Sequence, residues 1–477
     1  MRVPDPPGGH GLGLSPGLAV GLLVVFAGYA VVLALVVSGA ESVWGAWAAA
    51  GYGAAALVSA WFWRRRPMVP LAVALAGAFV VPAAVLPVNW GATSEGRVVA
   101  RAASLWLAHG TPYLASTQLS SWRAYDPYLP GMSLFGLPHA LGLPGLLGAP
   151  RSWLALCTLL LLVAACRIVA PGSARRCSGC RRRAWVQALL LVAFPAFALP
   201  MALGVTDPPV IALVCLALAW AARPPAGASA GAGAGAVSRQ SRGRGRGQVD
   251  ECFGPVRHGH PLLAAVAVGI ACALKATAWP ALPVVLALVA VRDGRRTAVR
   301  FAGAAVASAA GLVAVTAPAL LTHPRSLWQN IVAYPLGLSR RRTPAGSPLP
   351  GHLLATAGGA GHEVAILLLA VSALAVGASL VLRPPRTVEQ AVLRLAIGLS
   401  LLFLLAPDSR FGYFAYPAAL LAWLLLAAGR PGRRLGEWLR SARRRAAQKV
   451  AGSWDGAGGA VRRPAPQPVR LGSTSTS

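Results

Sequence analysis

The sequence predicts an all-α protein, a polytopic transmembrane helical bundle of about twelve spans with an extracytoplasmic first large loop that carries juxtamembrane helices. Three observations predict it. Of 477 residues, 56% are hydrophobic and only 12% charged, too few charges to clothe a soluble chain of this length. Runs such as Leu18 to Val37 and Leu154 to Ala165 carry no charge at all, and a bilayer core about 30 Å thick asks for about 20 such residues per helix. The arginines stand between these runs in clusters: Arg64–Arg66, Arg175–Arg183, Arg239–Arg246, Arg292–Arg300 and Arg430–Arg445.

That clustering also interprets the net charge of +31. Basic loops flanking spans are held in the cytoplasm beside anionic headgroups, so the charge speaks for membrane orientation and against nucleic acid as a partner. Only Lys275 and Lys449 are lysines among 44 basic residues, which with the heavy use of Ala, Gly, Pro and Arg suggests a GC-rich, actinobacterial genome. Cys157, Cys166, Cys215 and Cys272 fall inside apolar runs, where thiols pack as small hydrophobes. Cys177 and Cys180 form a CxxC in an expected cytoplasmic loop, and Cys252, His258 and His260 lie in the next one. A zinc site across the two loops is one reading of this pattern, and incidental residues are the favoured one. The run from Gly17 is too long for a cleaved signal core.

A short cytoplasmic N-terminus, 1–16, precedes a transmembrane domain over 17–428, and a basic cytoplasmic tail, 429–477, follows it. The first three spans are expected at about 17–38, 43–62 and 68–88, which puts 89–127 outside the membrane. Residues 128–148 are apolar but broken by Pro130, Pro138 and Pro144, and read as a segment in the outer interface. Spans follow at 152–170, 185–203 and 208–222; then 223–260, rich in Ala, Gly, Ser and Arg, reads as a disordered cytoplasmic linker. The run 261–291 has basic flanks on both sides and Lys275 in its middle, so two short helices with Lys275 at the outer end fit better than one span. Further spans are expected at 299–318, 364–382, 390–406 and 412–428, leaving both termini in the cytoplasm.

This topology sends Glu41, Glu95, Asp126, Asp207, Glu363 and Asp408 to the outer side. A carboxylate beside hydrocarbon is costly and asks for a reason. Glu41, in a very short turn, is read as structural, and Asp207 before Pro208 as either a helix cap or a functional acid. Arg340, Arg341 and Arg342 oppose the orientation set elsewhere, so they are either a solvated loop or a grip on a phosphate or anionic headgroup. Lys275 and Arg410 are expected on the same surface; for Lys275 the plain alternative is a lysine snorkelling to the interface.

The stretch from Glu95-Gly-Arg to Thr-Pro-Tyr113, followed by Tyr125-Asp-Pro-Tyr-Leu-Pro130, resembles the first outer loop of the GT-C superfamily of membrane glycosyltransferases, and more narrowly of its family 87. Ala273-Leu-Lys-Ala-Thr-Ala-Trp-Pro280 is similar to the later Lys motif of that family, and Pro407-Asp-Ser-Arg-Phe-Gly-Tyr413 to its late Arg-x-x-Tyr element. The chain departs from the pattern in two early spans ahead of the acidic loop, and in Glu95 where Asp is usual. The resemblance implies transfer of a mannose-like sugar from a polyprenyl-phosphate donor to a glycolipid or cell-envelope glycan at the outer face of the bacterial plasma membrane. Glu95 would then be the base, Asp126 or Asp207 a second acid, and Lys275, Arg410 and Arg340–Arg342 the phosphate ligands, with Tyr113, Tyr125, Asp408 and Tyr413 as further outer-face candidates. No cofactor is certain from the residues, a divalent cation being the single candidate. The chemistry suits the residues independently, since transfer needs one base for the acceptor hydroxyl and cations for the leaving phosphate. A transporter or flippase of lipid-linked sugars is the alternative, although no internal repeat supports it; a scaffold without activity is a third reading.

Overall fold

The computed structural model describes residues 15–62, 65–86, 94–169, 178–222, 260–321, 324–339 and 346–427. Among them there is no strand, only an isolated bridge between Gly346 and Ser409, and the expected helical bundle is found. The expected linker, tail and N-terminus lie outside the described residues but for their edges, as do Arg340–Arg342, Cys177, Cys252 and His258.

The long helices are α1 (Pro16–Val36), α2 (Ala40–Phe62), α3 (Met68–Val85) and α4 (Ser94–His109). They are followed by α5 (Pro150–Val169), α6 (Ser178–Ala193), α7 (Pro195–Leu203) and α8 (Asp207–Ala221). The second half holds α9 (Pro261–Leu274), α10 (Ala281–Asp293), α11 (Arg295–Thr316), α12 (Gly359–Leu382), α13 (Val388–Leu405) and α14 (Ala415–Ala427). Among the described residues, seven helices are long and apolar enough to cross a bilayer, or eight if the pair Arg182–Ala193 and Pro195–Leu203, bent by 75°, counts as one span. The expected count of about twelve is not reached by that measure. Three apolar helices, α8, α9 and the one ending in α14, are shorter than a full span.

The interruptions in the longer helices have local causes. Phe194-Pro195 cannot continue a helix, because the proline ring has no N–H and displaces the preceding residue from helical geometry. The carbonyl of Ala193, freed by that break, accepts a hydrogen bond of 2.6 Å from the Tyr52 hydroxyl. In α3 the turn over Ala76–Val80 widens to a π-helix, and Trp44 Nε1 donates to the Ala78 carbonyl there at 2.7 Å. Here α2 meets α3 backbone to backbone: a Cβ on Gly51 would lie 2.5 Å from the Gly77 Cα. The first two helices are thus bolted to α3 and to the α6–α7 bend.

At the centre stands α8, with all but one of its 15 residues buried, against α5 and α9. The segment 128–148, read as interfacial, is broken into helical pieces over 130–136, 137–140 and 145–148. Pro130–Ser133 and Gly136 of its first piece are buried, while Leu134, Leu141, Leu143, Leu146 and Leu147 are exposed. It enters at Leu129, whose N–H donates to the Leu274 carbonyl at 3.1 Å and so seats the loop on the break at Lys275.

Candidate active site

The site forms where helix ends meet. Glu95 occupies the first turn of α4, where a carboxylate faces the positive end of the helix dipole. Its partner is Thr206. Helix α7 ends at Leu203, Gly204 takes the left-handed conformation (φ +76°), and Thr206 then caps the start of α8. A threonine cap normally accepts from the N–H two or three residues on, but those positions are Pro208 and Pro209, which have none. Thr206 makes no such bond. Its hydroxyl and N–H instead both donate to Glu95 Oε2, at 2.8 and 2.9 Å, so the carboxylate rests on the N-terminus of α8.

Asp207 is therefore the first helical residue and not the cap, one of the two readings its Asp-Pro context allowed. Its Oδ1 accepts from Lys275 Nζ at 2.5 Å and from the Tyr416 hydroxyl at 2.7 Å, and that hydroxyl lies 2.6 Å from Thr277 Oγ1. Lys275 stands at the end of α9 with extended backbone (φ −155°, ψ 136°). Its ammonium also donates to Thr206 Oγ1 at 3.1 Å and lies 5.2 and 5.7 Å from the centres of the Tyr128 and Tyr413 rings. With 6% of its surface exposed and its charge paired with Asp207, Lys275 is not a snorkelling lysine. Burial alone would raise the Glu95 carboxyl, but Lys275, the two Thr206 hydrogen bonds and Arg410 outweigh it and hold the group below its ordinary range. One proton of Thr206 Oγ1 goes to Glu95 and its lone pair faces Lys275, which joins the two into a single network. Oε2 of Glu95 is committed to this anchoring, and no hydrogen bond among the described residues falls to Oε1.

Other candidates are elsewhere. Asp126 is buried in a second cluster: its Oδ1 accepts from the Tyr128 N–H at 3.0 Å, and its own N–H donates to Asn330 Oδ1 at 2.8 Å. Arg101, its nearby cation, donates to the carbonyls of Arg123, Ala124 and Tyr125. Burial pushes the Asp126 carboxyl up to about 7, against the lowering effects of the Tyr128 N–H and Arg101. Tyr113 donates to the Tyr128 carbonyl at 2.8 Å, and Tyr125 stacks on Tyr334 with ring centres 4.3 Å apart. Asp408 lies near Gly337 and His362, in a different setting from Asp207, while Ser409 beside it is buried. Thr206, Tyr416, Thr277 and Tyr128 were not anticipated; the threonine's place before Asp-Pro-Pro was the available signal. Among the described residues no group of three His, Cys, Asp or Glu could hold a metal ion.

The arrangement defines a polytopic helical membrane protein with a network at helix ends in which half-buried Glu95 joins buried Thr206, Lys275 and Asp207. The family description "Glycosyltransferase family 87" matches residues 252–407, so the resemblance read from the sequence is found over that stretch. It takes in Lys275 but stops short of Glu95, Thr206, Asp207 and Arg410. A solved structure, ArnT from Cupriavidus metallidurans bound to undecaprenyl phosphate, is similar at 17% identity with a TM-score of 0.42. The alignment covers 76% of this chain and 59% of that one, so the chain spans less than two thirds of the length of ArnT. A search among curated proteins finds no match.

Proposed function

We propose that the protein is a membrane glycosyltransferase that moves a mannose-like sugar from a polyprenyl-phosphate donor to a glycolipid or glycan acceptor, with inversion. The observation that carries the reading is Glu95 anchored through one oxygen beside a buried, paired lysine. In this reading Oε1 of Glu95 takes the proton of the acceptor hydroxyl as the acceptor oxygen bonds to the anomeric carbon from the face opposite the phosphate. The bond from that carbon to the phosphate oxygen breaks, and the leaving phosphate carries away its electron pair. Lys275 and Arg410 supply the positive charge that such a leaving group requires. Asp207, itself held by the Tyr416 hydroxyl, keeps the Lys275 ammonium in place, and Asp126 acts as a loop fastener. No second acid is needed for direct displacement.

The site is assigned to the extracytoplasmic face. Arg292, at the end of α10, donates to the Ala221 carbonyl at the far end of α8 from Asp207. Fifteen helical residues at about 1.5 Å each separate that basic end from the site by about 22 Å. Positive flanks favour the cytoplasm, which leaves the carboxylate network outside. The deciding experiment is incubation of membranes carrying wild-type or Glu95→Gln protein with labelled polyprenyl-phosphate sugars. Transfer of label to lipid or polymer by the wild type alone is the expected result; no transfer from any polyprenyl-phosphate sugar would overturn the reading.

A further inference from the structure

One buried cation plays no part in this chemistry. Arg151, second residue of α5, is 5% exposed and has no carboxylate partner among the described residues. Its guanidinium donates to three backbone carbonyls, those of Ala83 (2.7 Å), Ala202 (3.3 Å) and Leu86 (3.4 Å). Ala83 and Leu86 close α3, and Ala202 lies in the last turn of α7. The last carbonyls of a helix have no partner within it and carry the negative end of its dipole, so a planar cation with several donors can hold two such ends together. The stem of Arg151 also packs on the turn between α7 and α8, where a Cβ on Gly204 would sit 3.0 Å from the Arg151 Cβ.

Each of those helix ends precedes in the chain one partner of the Glu95–Thr206 contact. Glu95 follows Leu86 by nine residues, and Thr206 follows Ala202 by four. We propose that Arg151 is a positioning residue that sets the approach of Glu95 to Thr206 by bridging the ends of α3 and α7. Its bearing on turnover rests on the transferase reading; its bearing on the Glu95–Thr206 contact does not.

The contact can be read without substrate. A carbodiimide modifies the protonated carboxyl, so the pH midpoint of modification at Glu95, followed by peptide mass spectrometry on the purified full-length protein, reports its proton affinity. Thr206→Val, which removes one hydrogen bond to the charged form, should raise that midpoint by about one pH unit and sets the scale. Arg151→Met should raise it in the same direction. The other groups acting on Glu95, namely Lys275, Arg410, Asp207, Tyr128 and Tyr413, are chemically unchanged in both variants. Asp126 is the internal control: its midpoint should stay where it is, because its hydrogen bonds do not pass through Arg151. An unmoved Glu95 midpoint in Arg151→Met, or Glu95 and Asp126 moving together, would overturn the proposal. If Arg151→Met does not accumulate, Arg151→Lys, which keeps the charge and loses the fork, is read by the same criteria. A shifted midpoint in a protein whose wild type transfers no sugar would sink the transferase reading and leave this one standing.

Discussion

Two acids, Glu95 half-buried and Asp126 buried, end in opposite states. Glu95 is held by residues far away in the chain: Thr206 through Oε2, with Lys275 reaching the same hydroxyl from a third helix end. The Asp126 carboxyl takes its hydrogen bond from its own loop, from the N–H of Tyr128, while Arg101 spends its donors on the carbonyls of residues 123–125. A cation aimed at a carboxylate network keeps the acid ionised; a cation aimed at backbone leaves burial to dominate, and the acid rises to about 7. Glu95 is the less deeply buried of the two, and the target of the neighbouring cation widens that difference.

The largest effect should come from removing the charge of Glu95. Glu95→Gln retains the shape and an acceptor for Thr206 but cannot take a proton, so turnover should fall roughly 10²–10⁴-fold with the thermal unfolding midpoint little changed. The same substitution at Asp126 should be nearly silent in the transfer assay. Equal losses at both sites would erase the contrast between them.

Lys275→Met should cost stability as well as activity. It leaves Asp207 buried without its cation, and breaking a buried pair costs about 3–5 kcal/mol, read as a fall in the unfolding midpoint in detergent. Adding Asp207→Asn should restore part of the stability and none of the activity. No recovery of stability would mean that Lys275 is held by something other than this pair.

Tyr416→Phe removes one of the two donors to Asp207 Oδ1. A hydrogen bond to a charged group contributes about 1.5–3 kcal/mol, so a modest loss of stability should accompany a rise in donor KM larger than any fall in kcat. A pure kcat effect would put Tyr416 at the reacting atoms instead.

A separate effect is expected at Asp126, in the pH dependence of stability. Its folded carboxyl, at about 7, lies above an unfolded value of about 3.9. The native state therefore holds a proton that the unfolded chain gives up, so stability should decline as pH rises from about 4 to 7 and level off above. Asp126→Asn keeps an acceptor for the Tyr128 N–H and should flatten that decline. An unchanged slope would show that Asp126 is not the group responsible.

Much of this was legible in the sequence. Apolar runs fix where helices lie, since hydrocarbon admits only backbone that bonds within itself, and the break at Lys275 and the broken 128–148 segment follow from charge and proline. Glu95 and Lys275 stood out as costly charges next to spans, with a snorkelling lysine as the alternative for Lys275. The network that joins them did not. Thr206 resembles any helix cap until two prolines deprive it of an N–H to accept from, and its partner is 111 residues away. Nothing local separates Asp126 from Asp207, or shows that Arg151 holds two helix ends while Lys275 faces carboxylates. Burial, pairing and the target of each cation depend on which helix ends meet, and hydrophobic patterning, which is local, does not specify that.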